Sequence, residues 1–314
     1  MKQELYLHIG YPKTGTTFLQ SEVFPKAAGL NYVNYLDMLE DISKILKQDE
    51  YSFNADKVRE VFEKRFRPGK NLLSQENFVG DFYRCRLLNS KLVADRLKRL
   101  FPEARIIITL RNQYDLIESL YRQYLQSGGL KKFREFVGFD GDDFEESYLH
   151  WGLNVNIGNF NFLNPVRYYE SLFGKDRLLV LPYELLKRDP GAFMRKLFSW
   201  IGVEAPAGLN NVLHNPGYGA RQAAVARFFN RFLKSKLNEG SIIPDVRLPF
   251  TGKIDAGKLR LILQSKYSRK ILGAKPMTDE TVQNRVKSVF NESNRALNER
   301  YGLSLETLCP EEYF

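Results

Sequence analysis

Short apolar runs alternate with amphipathic stretches along this chain, a pattern that predicts a largely parallel sheet covered by helices. LYLHIG (5–10) reads as the first strand, and TTFLQSEVF (16–24) opens the first helix. DMLEDISKILK (37–47) and NADKVREVFEKRF (54–66) carry helical periodicity, the second with Asn54 as its N-cap. KNLLSQEN (70–77) is expected as the second strand. SKLVADRLKRLFP (90–102) is a helix closed by Pro102, and it leads into ARIIITLRN (104–112), the most strand-like run. QYDLIESLYRQYLQSGG (113–129) is a helix stopped by two glycines. DRLLVLPYELL (176–186) gives the fourth strand, and GAFMRKLFSWIG (191–202) a helix ending at Gly202.

Beyond about residue 203 the pattern loosens into Gly, Asn and Pro (APAGLNNVLHNPGYGAR, 205–221). A helix follows whose Val225, Phe228, Phe229, Phe232 and Leu233 are spaced for one buried face. Residues 238–257 read as an ordered loop and 279–301 as a final helix. Repeats, low-complexity tracts and a clear linker are all missing from the sequence. The expectation is one α/β domain over 1–314, a parallel central sheet flanked by helices, with a helical, basic C-terminal portion from about 204 to 314.

Composition narrows the setting. At 314 residues and 43% apolar content, the chain can bury a sizeable core. Its two cysteines, Cys85 and Cys309, cannot build a disulfide framework and have no metal-ligand spacing, so a cytoplasmic location is expected. Only seven residues precede His8, and no stretch approaches the length of a membrane span, so neither an ordinary export signal nor a spanning helix is expected. The net charge of +10 is localised: residues 221–287 hold fifteen Lys/Arg and five Asp/Glu, and the remainder has thirty-two of each sign. That stretch is either a solvated basic face or a surface for an anion: an acceptor, a cofactor phosphate or an acidic lipid in peripheral membrane contact. Nucleic acid is not expected, because no aromatic-basic RNA motif or zinc-finger spacing accompanies the charge.

The chemistry is concentrated in HIGYPKTGTTFLQ (8–20). Gly10 and Gly15 keep the spacing of a nucleotide-triphosphate loop, but Thr16 and Thr17 follow where Lys-Ser/Thr would stand, and Lys13 lies inside the loop. Strand, glycine loop and helix together surround one anion with backbone N–H groups and a positive helix end. Lys13 could there meet the oxygen bridging a phosphate to a transferred group, and Thr16 and Thr17 could donate to the terminal phosphate. A second element is TLRNQYDLIESLYRQY (109–124). Arg111 stands at a strand's C-terminal end, where open α/β sheets bind ligands, and Ser119 follows eight residues later. A planar guanidinium and a hydroxyl could hold a second phosphate.

PKTGTTFLQ resembles the 5′-phosphosulfate loop of the sulfotransferases, and RNQYDLIES resembles their 3′-phosphate motif with the same Arg-to-Ser spacing. VLPYELLKRDPGAFMRKLFSWIGV (180–203) is similar to the family segment whose tyrosine approaches the adenine, here Tyr183. The resemblance implies a P-loop NTPase-like fold. It also implies 3′-phosphoadenosine 5′-phosphosulfate (PAPS) as cofactor, adenosine 3′,5′-bisphosphate (PAP) as product, and sulfuryl transfer to a hydroxyl or amine without a metal. Lys13, Thr14, Gly15, Thr16, Thr17, Arg111, Ser119 and Tyr183 are then the cofactor-binding candidates. Arg221 joins them, because the family closes a late basic segment over the 3′-phosphate.

Lys13 and Glu76 are the catalytic candidates. Glu76 ends the strand NLLSQE and should emerge at the same sheet edge as the loop, placed to take the acceptor proton. Glycan-type members of the family use a glutamate near this point, which favours a carbohydrate or glycolipid acceptor, in keeping with the basic C-terminal stretch. The histidines are rivals. His8 alternates with Leu7 and Ile9 and is expected as a satisfied core residue, His150 beside Trp151 as packing, and His214 as a candidate to face the cofactor. Two other functions stay open: a P-loop nucleotide kinase or phosphotransferase, and a non-catalytic nucleotide-binding protein.

Overall fold

Five apolar segments pair in parallel to form the sheet that carries the candidate loop. They are β1 (Gln3–His8), β2 (Leu30–Val33), β3 (Gly69–Ser74), β4 (Arg105–Leu110) and β5 (Leu178–Pro182). Their spatial order is β2-β3-β1-β4-β5. The computed structural model describes residues 3–81, 87–144, 155–208, 219–235, 237–238, 246–248, 252–254, 266–273, 275 and 277–314. The chain divides into two compact units: Met1–Asn112, Gly158–Leu213 and Val289–Phe314 form one; Gln113–Ile157 and His214–Ser288 form the other.

In the first unit β1 lies between β3 and β4. The connection from β1 runs to one side and the one from β3 crosses β1 to the other, a switch point that opens a crevice at the carboxyl end of β1. Register pairs His8 with both Ser74 and Ile107, and Ile107 with Leu179. Side-chain alternation sends Tyr6, Leu72, Ile107 and Leu181 to one face, into a cluster with Leu19, Phe193, Leu197 and Ile201. Leu7, Leu73, Ile106 and Ile108 are buried on the other face. Each such side chain contributes about 1.5–3 kcal/mol by leaving water, so both faces need a cover of helices.

The covering helices start and stop for local reasons. Asn54 accepts from the Lys57 N–H (3.0 Å), capping the Ala55–Glu63 helix as expected. Asp189 accepts from the Ala192 N–H (2.8 Å) ahead of Pro190, and the Pro190–Ile201 helix ends at Gly202. Arg96, fully buried, closes the Leu39–Lys47 helix by donating to the Ile45 (2.9 Å) and Gln48 (2.5 Å) carbonyls, and it pairs with Glu50 (2.8 Å).

Three expectations need correction in this unit. β2 was not foreseen, since LNYV is a short strand without alternation, three half-buried residues followed by the buried Val33. The strand from 70 stops at Ser74, and Glu76 opens a 3-10 turn, Glu76–Val79, in which the Gln75 side chain accepts from the Asn77 N–H (3.2 Å). Tyr183 lies past its strand too, at the start of the Tyr183–Arg188 helix.

The second unit holds the helices Gln113–Gln126, Phe133–Val137, Ala220–Asn230 and Lys266–Leu272. It also holds the antiparallel pair Val246–Leu248 and Gly252–Ile254, within the stretch expected to be a loop. The Glu280–Tyr301 helix begins in this unit and meets the expectation for 279–301. The apolar face expected on the 220–233 segment is not the buried one. Gln222, Ala223, Ala226 and Asn230 are buried, whereas Phe228 (57%), Phe229 (39%) and Phe232 (37%) are exposed, and only Leu233 is buried as expected. Asn230 Nδ2 donates to the Leu125 and Gly129 carbonyls (both 2.9 Å), satisfying the end of the neighbouring helix while two alanines permit close approach. Among the described residues no helix is long and apolar enough to cross a membrane.

Candidate active site

The loop after β1 is built on a hydrogen-bonded chain of buried polar side chains. Gln20 Nε2 donates to Ser74 Oγ (3.0 Å), and Ser74 Oγ meets His8 Nδ1 (2.7 Å). His8 Nε2 meets Thr109 Oγ1 (3.1 Å), which meets Thr14 Oγ1 (2.8 Å), and Thr14 donates to the Tyr11 carbonyl (2.6 Å). These contacts tie the carboxyl ends of β1, β3 and β4 to the loop. His8 is the core histidine the alternation predicts: burial lowers its pKa to about 3, so the ring is neutral and bridges two hydroxyls.

Glycine is required twice. At Gly10 a Cβ would lie 1.7 Å from Thr109 Oγ1, so any side chain would break into this network. Gly15 has φ +82°, and a Cβ there would come within 2.8 Å of Leu186 and 3.3 Å of the Tyr183 ring. Between them Lys13 also has positive φ (+67°), unusual for a residue with a side chain. The loop is thus bent tightly, over a floor formed partly by Tyr183. The helix beyond it starts as α at Thr16–Phe18 and widens to a π turn at Leu19–Val23, a departure from the continuous helix expected.

Around the bend the first unit gathers its charged candidates. Arg111 Nη1 donates to the Lys13 carbonyl (3.2 Å), and its guanidinium lies 5.1 Å from the Tyr183 ring centre. Desolvation lowers the Lys13 pKa, the positive Arg111 lowers it further, and Glu76 acts in the opposite direction. Burial raises the Glu76 pKa, and Lys13 partly offsets this. Lys13, Glu76 and Arg111 therefore share one electrostatic environment. Two cations held together with one half-buried carboxylate and a bent run of backbone N–H groups fit a multiply charged anion such as a phosphosulfate.

The other candidates divide by location. Thr16 is buried beside the network, 3.4 Å from Thr14 Oγ1, and Thr17 is exposed. Thr14 is fully buried, and its hydroxyl is spent within the protein. Ser119, half-buried on the Gln113–Gln126 helix, belongs to the second unit. So does Arg221, exposed, with Nη1 donating to the Leu272 carbonyl (3.4 Å). His150 and His214 lie outside the described residues. Among the described residues no group of His, Cys, Asp and Glu is arranged to hold a metal ion.

Sequence reasoning missed a supporting carboxylate. Glu184, buried directly after Tyr183, accepts from the Asn112 N–H (3.0 Å) and from Tyr313 OH (2.9 Å). It thereby clamps the turn that follows Arg111 to the segment carrying Tyr183. Burial raises its pKa, while the Asn112 and Tyr313 donors hold it down. Nothing in YELL marks this role; Tyr313, its donor, is 129 residues away.

The chain matches the sulfotransferase domain family over residues 6–216. It belongs to the sulfotransferases. A search of curated protein sequences gives no significant match. Similar solved structures include a sulfotransferase from Alicyclobacillus acidocaldarius (17% identity, 68% of this chain and 87% of that one, TM-score 0.46). Others are mouse sulfotransferase SULT7A1 complexed with PAP (14%, 99% and 85%, 0.38) and the sulfotransferase domain from the curacin biosynthetic pathway (15%, 93% and 98%, 0.42). As a sulfotransferase the protein is a PAPS-dependent enzyme that moves a sulfuryl group to an acceptor, and its parallel sheet with flanking helices is the P-loop-like fold of the family.

Proposed function

We propose that this sulfotransferase acts on a hydroxyl of a carbohydrate or glycolipid, with Glu76 as the base and Lys13 at the leaving phosphate. The observation carrying this reading is the electrostatic pairing of Glu76 with Lys13 beside the bent loop. Bound PAPS would supply an electrophilic sulfur whose bond to a phosphate oxygen breaks as the acceptor oxygen bonds in line with it. Glu76, made a stronger base by burial that raises its carboxyl pKa, takes the proton from the attacking hydroxyl in its carboxylate form. Lys13 donates to the departing phosphate oxygen, where negative charge grows. The Gly15, Thr16 and Thr17 N–H groups, with the Thr16 and Thr17 hydroxyls, hold the 5′ end, and Thr14 supports the loop beneath them. Tyr183 faces the adenine; Arg111, Ser119 and Arg221 are assigned to the 3′-phosphate.

The same reading treats 1–314 as one sulfotransferase domain acting in the cytoplasm, in keeping with its only two cysteines. The basic surplus in 221–287 favours an acceptor already carrying negative charge. Labelled sulfate transfer across neutral and anionic oligosaccharides, glycolipids, simple phenols and amines tests the acceptor class. Transfer to a sugar hydroxyl is expected; labelling confined to phenols or amines would overturn it.

A further inference from the structure

Three phenylalanines stand in water on the second unit, where helical spacing predicts a core face. Phe228, Phe229 and Phe232 are 57, 39 and 37% exposed. Their rings touch: the Phe228 centroid lies 5.7 Å from that of Phe229 and 5.4 Å from that of Phe232. The other side of the helix already has its partners through Asn230, Ala223 and Ala226, so repacking inward would break satisfied contacts. Arg227 is turned away as well, donating to Tyr121 OH (2.9 Å). The exposed Arg231 and Lys234 flank the rings, and no Asp or Glu occurs between Glu204 and Glu239. The neighbouring Lys266–Leu272 helix adds Ile271, 80% exposed.

We infer that this face docks on the surface of a bilayer containing acidic phospholipids. An apolar cluster and an unbroken run of positive charge ask for an occupant that is apolar and negative at once. An acidic bilayer interface supplies an apolar boundary directly beneath a layer of anionic headgroups. Phenylalanine rings enter that boundary while Arg and Lys stay at headgroup level. The inference does not depend on the acceptor or on the identity of the catalytic base.

Co-sedimentation of the full chain with vesicles tests it, using phosphatidylcholine alone and phosphatidylcholine mixed with phosphatidylserine. Binding is expected only to the mixed vesicles, and it should weaken as salt is raised. The triple variant Phe228→Ser/Phe229→Ser/Phe232→Ser should lose about tenfold or more in partitioning, with PAP affinity and circular dichroism unchanged. Because a triple change can disturb folding, Arg231→Glu/Lys234→Glu provides a second route. It leaves the rings in place and should also reduce partitioning to acidic vesicles. Absence of wild-type binding to acidic vesicles at low salt would overturn the proposal. So would wild-type-like partitioning by both variants, or light scattering in which the rings hold two copies together without any vesicle binding.

Discussion

Lys13 and Glu76 meet different moments of the proposed transfer, so their variants should separate. The charge facing Lys13 grows in the transition state, so Lys13→Ala should lower kcat with a smaller loss of PAP affinity, measured by steady-state kinetics and titration. Normal kcat with weakened binding would make the lysine an anchor only. Glu76→Gln keeps the shape but removes the proton acceptor, and kcat should drop about 10²–10⁴-fold with PAP binding preserved. The base works only when deprotonated. Its raised pKa therefore sets an acidic limb in kcat/KM above the ordinary carboxylate range, which the variant should lack. For His8 the linkage concerns stability. The unfolded chain takes up its proton near the ordinary value of 6.5, whereas the fold resists it until about 3. Stability is then complete above about 6.5 and falls with decreasing pH, by up to about 1.4 kcal/mol per unit from this group. Denaturant titrations between neutrality and the carboxylate range should show a shallower slope for His8→Gln.

At the scale of the element, strand and helix periodicity made most of the candidate site legible. LYLHIG followed by glycines marked a strand and loop, and ARIIITLRN placed Arg111 at a strand end; both features stand in the structure. The loop's supports were harder to see, because hydrogen bonds between residues far apart in sequence, such as His8 with Ser74 and Thr109, leave no local signature. Glu184 and Arg96 were invisible for the same reason. The Ala220–Asn230 helix misled because periodicity marks where apolar residues stand, not which face finds a partner. There, hydrogen bonds from Asn230 favoured the other side. The network beneath the loop gives its own prediction. Gly10→Ala drives a methyl into Thr109 Oγ1 and should cost about 1–3 kcal/mol by denaturant unfolding. Removing that oxygen with Thr109→Ala should recover part of the loss, so the double variant falls short of the sum. Additive losses would mean that the close approach does not limit the position.

Across the whole molecule, the match to the sulfotransferase family ends at residue 216, and the excess of positive charge begins just beyond it. The family-wide part of the chain holds Lys13, Glu76, Arg111, Ser119 and Tyr183, and the part beyond holds Arg221 and the exposed phenylalanines. Donor recognition is therefore expected to rest chiefly on the former, with Arg221 added from the latter, and contact with acidic surfaces on the exposed phenylalanines of the latter. The central claim is that a bent loop and Arg111 together recognise an adenine nucleotide bearing two separate phosphates. Calorimetric titration of the full chain with PAP and with AMP, in the presence of a chelator, tests it most directly when repeated on Arg111→Ala. The expected result is a strong wild-type preference for PAP without metal, with PAP binding weakened by about 1.5–3 kcal/mol in the variant and AMP binding changed far less. Equal wild-type affinities for the two nucleotides, or an undiminished preference for PAP in Arg111→Ala, would contradict it.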